Sequence, residues 1–150
     1  MSYKLSQRSL SKLEGVDPSL VAVAKLAISI TKVDFGVTQG LRTLEEQKRL
    51  VAEGRSQTMK SKHLEGRAVD LMAYLDGKVS WELNVYDNIC DAMKEAAKEL
   101  GVSIKWGAAW SEGDIRNYSG SSEEAMMKYI DIRRSQGRRP FIDGPHFELM

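Results

Sequence analysis

Ser61-Lys62-His63-Leu64-Glu65-Gly66-Arg67-Ala68-Val69-Asp70 is answered near the C-terminus by Asp143-Gly144-Pro145-His146-Phe147-Glu148. His63 and His146 are the only two histidines, and each stands beside carboxylates in a segment that reads as turn plus strand. A strand starting near Arg67 puts Ala68 and Asp70 on one face, because strand side chains alternate. Gly66 permits a sharp turn that carries His63 back over that face, and Ala68 leaves the face free of bulk. In the second segment Gly144-Pro145 interrupts regular alternation, so Asp143 and His146 need not point in opposite directions. His63, Asp70 and His146 are therefore candidate ligands of one metal ion. Two imidazoles and one carboxylate leave a tetrahedral position for water, the arrangement of a catalytic rather than a structural zinc. The spacing from His63 to Asp70 is not specific by itself, since packed and surface histidines also stand near carboxylates.

Upstream of this stretch, Ser6 to Leu13 reads as a short helix ending near Gly15. Asp17-Pro18 supplies an N-cap and a first-turn proline for a mostly buried helix through about Thr31, with Lys25, Ser29 and Lys32 on a narrow polar stripe. Asp34 to Thr38 reads as a strand. Thr43-Leu44-Glu45-Glu46 is a capping box opening a helix that Gly54 closes, which sets Arg42 at a strand-to-helix junction. Arg55 to Lys60 is a polar loop, and Ser61 either caps the following turn or hydrogen-bonds near the site.

Downstream, Leu71 to Leu75 continues the strand and Asp76-Gly77 signals a hairpin to a short return strand at Lys78-Val79. Glu82 to Leu100 is the longest expected helix, with Val85, Ile89, Ala92, Met93, Ala96 and Leu100 as its core stripe and Gly101 as its cap. Val102 to Trp106 is the next strand. Ser111 to Gly120 reads as an exposed loop and Ser122 to Gln136 as a helix with Met126, Met127, Tyr129 and Ile130 inward. Arg133, Arg134, Arg138 and Arg139 gather at its C-terminal end, where cations are favoured.

With 150 residues, 42% hydrophobic and 29% charged, the chain fits one globular domain with its own core. A net charge of +1 gives no global field for nucleic acid or an anionic membrane. The single cysteine, Cys90, cannot form an internal disulfide and reads as a small buried side chain in a reducing compartment. Met1 to Arg8 lacks the apolar core of a signal peptide, and the most apolar run, Leu20 to Ile30, is too short to span a bilayer and carries Lys25. Cytoplasmic accumulation is the expectation.

Ser61-x-His63-x-x-Gly66-x-Ala68-x-Asp70 followed by Asp143-x-x-His146 resembles the zinc peptidases that include D-alanyl-D-alanine carboxypeptidases, the vancomycin-resistance dipeptidases and phage L-alanyl-D-glutamate endolysins. Pro145-His146-Phe147-Glu148-Leu149 and Trp106-Gly107 are most similar to the phage endolysins, and the likeness runs from about Gly40 to the C-terminus. Endolysins of this type often carry Gly-Gly-Asp between the two tryptophans, where this chain has Gly107-Ala108-Ala109. The segment around 111–140 is longer than the usual link, so an insertion into a single peptidase domain, forming a cleft wall, is expected there.

The resemblance implies Zn2+ held by His63, Asp70 and His146, and gives Arg42 contact with substrate and the developing oxyanion, with Ser61 nearby. Strand alternation favours Glu148 as general base, since it shares a face with His146; the resemblance favours Asp143. Asp143 is taken as the base and Glu148 as a partner orienting a ligand histidine. The implied substrate is the peptidoglycan stem peptide, cleaved at L-Ala–D-Glu by a monomeric phage endolysin that reaches the wall with help from a holin, without nucleic-acid partners or stable membrane insertion. The alternatives are a D-Ala-D-Ala carboxypeptidase or dipeptidase, and a zinc-retaining, non-catalytic wall-binding module, as hedgehog signalling domains resemble this fold while serving recognition. The expected fold is α+β, a small antiparallel sheet carrying the metal site and flanked by helices in the hedgehog/D-Ala-D-Ala peptidase manner. Element order alone also permits α/β; the Asp76-Gly77 hairpin and the resemblance favour antiparallel pairing.

Overall fold

The computed structural model describes residues 3–56 and 58–150; Met1 and Ser2 of the N-terminal segment and Gln57 of the Arg55–Lys60 loop lie outside the described residues. Five helices and five strands follow one another as α1 (Gln7–Lys12), α2 (Pro18–Ile30), β1 (Asp34–Gln39), α3 (Leu44–Ala52), β2 (Ala68–Leu75), β3 (Lys78–Ser80), α4 (Leu83–Leu100), β4 (Ile104–Trp106), α5 (Ser122–Ser135) and β5 (His146–Leu149), with 3-10 turns at Lys62–Glu65, Trp110–Glu112 and Ile115–Asn117. The architecture is α+β.

All strand pairings are antiparallel, in the order β1-β2-β5-β4, and β3 also pairs with β2. β2 organises the sheet. β1 runs along one of its edges, while β5 takes Ala68–Asp70 and β3 takes Ala73–Leu75. Between those last two partners, the Leu71 N–H donates to the Pro145 carbonyl at 2.9 Å and the Ala73 N–H to the Tyr86 hydroxyl at 3.1 Å, so the interrupted edge leaves neither donor unpaired. The hairpin between β2 and β3 turns on Asp76 and Gly77, both at positive φ, as a tight two-residue turn requires.

Alternation along β2 sorts its side chains. Val69, Leu71 and Ala73 are fully buried on the core face, where α4 and α2 pack, and Phe147 of β5 joins them. Asp70 and Met72 on the other face are only partly covered, and Ala68 there is small and buried. α4 supplies Val85, Ile89, Cys90, Met93 and Ala96 to the core and ends on Gly101 in the left-handed region.

The caps read from sequence are present: Asp17 accepts from the Ser19 N–H, and the Thr43–Glu46 capping box closes both ways. Three expectations are corrected. Leu100 is 43% exposed, because it falls in the last turn of α4, beyond the sheet and helices that the stripe packs on. Met127 is 45% exposed, because α5 buries only the narrower stripe of Ala125, Met126, Tyr129 and Ile130. Residues 111–120 are not a simple exposed loop: Ile115 is fully buried, and Asp114 is buried with its carboxylate paired to Arg116, Oδ2 2.8 Å from Nη2. No described helix is long and apolar enough to cross a membrane.

Candidate metal and catalytic centre

Strand pairing and one turn assemble the centre. Asp70 and His146 are direct partners across β2 and β5, as are Ala68 and Glu148, so the four side chains share the open face of the sheet. His63 arrives on the Lys62–Glu65 turn, whose start is capped by Ser61 Oγ accepting from the His63 N–H at 3.2 Å. The turn ends on Gly66 at φ +68, where a Cβ would stand 2.3 Å from the Gly15 carbonyl oxygen; only glycine fits. Of the two roles open to Ser61, the cap is seen directly, and the side chain also lines the cleft.

The ligand atoms of His63, Asp70 and His146 lie within 4.8 Å of one another. Asp70 Oδ1 is 3.2 Å from His63 Nε2 and 3.1 Å from His146 Nδ1. The other nitrogen of each ring is committed elsewhere. His63 Nδ1 is 2.8 Å from the Gly40 carbonyl, which can only accept, so Nδ1 carries the proton. His146 Nε2 is 2.8 Å from Glu148 Oε1, which likewise draws the proton to Nε2. Two imidazole lone pairs and a carboxylate oxygen therefore converge on one point. That arrangement repels itself unless a positive charge sits there, so the donor set fits a metal ion and both rings already have the outer partners that metal-bound histidines need.

The electrostatics agree. Where no ion occupies that point, protons take its place: burial would raise the Asp70 carboxyl, yet hydrogen bonds from His146 and His63 rings that carry a proton there hold it well below the usual carboxylate range. Burial would lower the His146 imidazole, but hydrogen bonds to Asp70 and Glu148 raise it to about 9, so an extra proton on that ring stands where a cation would. The cluster pulls cationic charge toward itself. Asp143 is different: burial, reinforced by the Asp70 charge, raises its carboxyl. A carboxylate moved up from its ordinary value is a better proton acceptor.

Asp143 reaches the site through a folded turn. Its N–H donates to the Gly107 carbonyl at 2.8 Å, its carbonyl accepts from the His146 N–H at 3.0 Å, and the Gly107 N–H returns to the His146 carbonyl at 2.8 Å. Trp106 pins the same turn by donating Nε1–H to the Gly144 carbonyl at 2.8 Å. Arg42 is buried, its Nη2 3.7 Å from Asp70 Oδ2. Gln47 Oε1 accepts from Arg42 Nη1 at 2.6 Å and Gln39 Oε1 accepts from Nη2. The Arg42 N–H itself donates to the His63 carbonyl at 2.9 Å, tying the two segments together.

Every site residue read from the sequence thus faces one cleft of about 720 Å³: Arg42, Ser61, His63, Asp70, Asp143, His146 and Glu148. Sequence reasoning missed Gln39 and Gln47, which hold Arg42. Gln47 stands one turn into the helix that the Thr43 capping box opens and is fully buried, which nothing in the local sequence marks. It also missed Trp110, whose ring centroid lies 5.7 Å from that of His146, and Tyr129, Arg133 and Phe141 of the opposite wall.

An antiparallel sheet that presents two imidazoles, a carboxylate, a second acid and a buried arginine to a cleft defines, with the sequence resemblance, a peptidoglycan hydrolase. The family described as phage L-alanyl-D-glutamate peptidase matches residues 1–150, and the chain belongs to it. Its relatives include the L-alanyl-D-glutamate peptidase of Escherichia phage T5, 32% identical over 154 residues covering 100% of both chains. The L-alanyl-D-glutamate peptidase of Listeria phage A118 is 30% identical over 113 residues, 73% of this chain and 39% of that one. Among solved structures, the crystal structure of Serratia marcescens L-Ala D-Glu endopeptidase ChiX superposes with a TM-score of 0.74 at 35% identity, covering 99% of this chain and 91% of that one.

Proposed function

We propose that this protein is a zinc-dependent endopeptidase that hydrolyses the L-Ala–D-Glu bond of peptidoglycan stem peptides. The observation that carries the reading is the convergence of His63 Nε2, His146 Nδ1 and Asp70 within 4.8 Å, in a chain that belongs throughout its length to the phage L-alanyl-D-glutamate peptidases.

His63, Asp70 and His146 would hold the ion, and zinc suits two imidazoles and a carboxylate. Bound there, it would supply Lewis acidity toward water and the scissile carbonyl. The protein's residues do the rest. Asp143 accepts the proton of the attacking water and delivers it to the D-Glu amine as the C–N bond breaks. Arg42 presents a fixed cation to the negative charge that develops on the carbonyl oxygen, its guanidinium set by Gln39 and Gln47. Glu148 keeps the proton of His146 on Nε2, and Ser61 shapes the turn that delivers His63.

In this reading the chain is a single peptidase domain of the hedgehog/D-Ala-D-Ala peptidase type, monomeric, with 111–140 as an insertion that walls the cleft. It is made in the host cytoplasm and reaches the wall with help from a holin. The test is mass spectrometry of fragments released from purified sacculi by the zinc-loaded protein, beside a chelated control. New peptides beginning with D-Glu, absent after chelation, are the expected result. Release of terminal D-alanine alone supports a carboxypeptidase instead, and no release despite stoichiometric zinc leaves a wall-binding module.

A further inference from the structure

A glutamyl residue has two carboxyl groups. Whichever one carries the chain onward, the other is a free carboxylate close to the amide that an L-Ala–D-Glu peptidase cuts. The cleft floor already holds Asp70, Asp143 and Glu148, so that carboxylate is repelled unless a cation receives it.

Most cations of the lining are engaged. Arg42 is held by Gln39, Gln47 and Asp70. Lys62 donates to the Leu149 carbonyl at 2.6 Å and stands 3.8 Å from Glu148. Arg55 is 3.6 Å from Glu53. Lys60 is exposed, and among the described residues its ammonium has no tie that would fix it.

Arg133 differs from all of these. It lines the cleft and, among the described residues, pairs with no acid. Nε and Nη2 donate to one neutral acceptor, the Arg139 carbonyl, at 3.3 and 3.2 Å. That grip orients the guanidinium in advance and leaves its charge uncompensated and the Nη1 edge free, so little rotamer entropy remains to be lost on binding an anion. The wall beside it, Tyr129 and Phe141, is aromatic, and such a low-dielectric flank strengthens a charge pair.

We infer that Arg133 is a specificity-determining residue that receives the free D-Glu carboxylate of the substrate, an inference that rests on the peptidase reading above. The test is steady-state kinetics on two synthetic peptides containing an L-Ala–D-Glu bond, one with the free D-Glu carboxylate and one with that group amidated. The wild-type protein prefers the acid. Arg133→Ala raises KM for the acid about tenfold with kcat unchanged, as loss of one hydrogen bond to a charged group predicts, and leaves the amide unaffected. Arg133→Lys keeps part of the preference. Arg134→Ala, an exposed position outside the cleft lining that makes the same change in net charge, behaves as wild type.

Equal losses on both peptides overturn the inference, because Arg133 then only holds the Arg139 segment. So does an unchanged preference in Arg133→Ala. Failure of the wild type to cleave either peptide or sacculi overturns the peptidase reading itself, a result distinct from both.

Discussion

On the floor of the cleft, Asp70 and His146 face each other across a strand pairing whose reverse side is fully buried core. On the wall, Trp110, Tyr129, Arg133 and Phe141 hang from one 3-10 turn, one helix and a coil. The wall is tied by side chains gripping backbone: Lys94 Nζ donates to the Gly120 carbonyl at 2.8 Å and to the Tyr118 carbonyl, and Tyr129 Oη accepts from the Phe141 N–H at 3.1 Å. A backbone ladder fixes Asp70, His146 and Glu148, and side-chain ties fix the opposite wall. Changes on the floor should therefore destroy turnover, and changes on the wall should cost stability or selectivity.

The largest effect is expected from His63→Ala, which removes a proposed ligand and should lower kcat/KM by about a thousandfold or more while far-UV circular dichroism is retained. Asp143→Ala should cost about a hundred- to ten-thousandfold in kcat with bound zinc still stoichiometric by metal analysis; near-normal activity would remove Asp143 from the mechanism. Glu148→Gln weakens the hold on the His146 tautomer, and a loss of about ten- to a hundredfold in metal affinity or activity is expected by titration and assay. A mutant wall should look different. Lys94→Met leaves two carbonyls without their buried donor and should destabilise the fold by about 1–3 kcal/mol in denaturant melts, with kcat of the folded fraction intact.

The smallest effect tests where α5 packs on α4. Burial, then the charges of Glu123 and Asp91, raise the Asp87 carboxyl to about 6. The native state thus holds that proton more tightly than the unfolded chain, whose carboxyl titrates near 4, so this residue's contribution to stability falls as pH rises from about 4 to about 6 and is level above. Asp87→Asn should remove that slope and raise Tm at neutral pH; an unchanged profile would mean the wall helix meets no such repulsion.

The same division explains what could be read from the sequence. Period-two patterning, the Asp76-Gly77 hairpin and the caps at Asp17, Thr43 and Gly101 are local signals, and the elements that depend on them stand where those signals put them. The site residues were legible because histidine is rare here and the motif concentrates it with acids. Gln47 holding Arg42, the Gly40 carbonyl receiving the His63 proton and Lys94 anchoring residues 118–120 left no comparable trace. Each is a bond between a side chain and a group set by tertiary structure. The burial of Ile115 and the exposure of Leu100 and Met127 likewise depend on what packs against them, which periodicity does not carry.

β5 lies inside the sheet, between β2 and β4, although it comes last of the ten elements in sequence. Asp70 and His146 are separated by 76 residues along the chain. During synthesis the centre therefore cannot exist until β5 has been made: β2 emerges first and gains its partner strand only when everything between has followed. No truncated product ending before His146 can carry the triad, and closing this long-range pairing is a natural slow step in folding. Timing of activity is thus written into strand order.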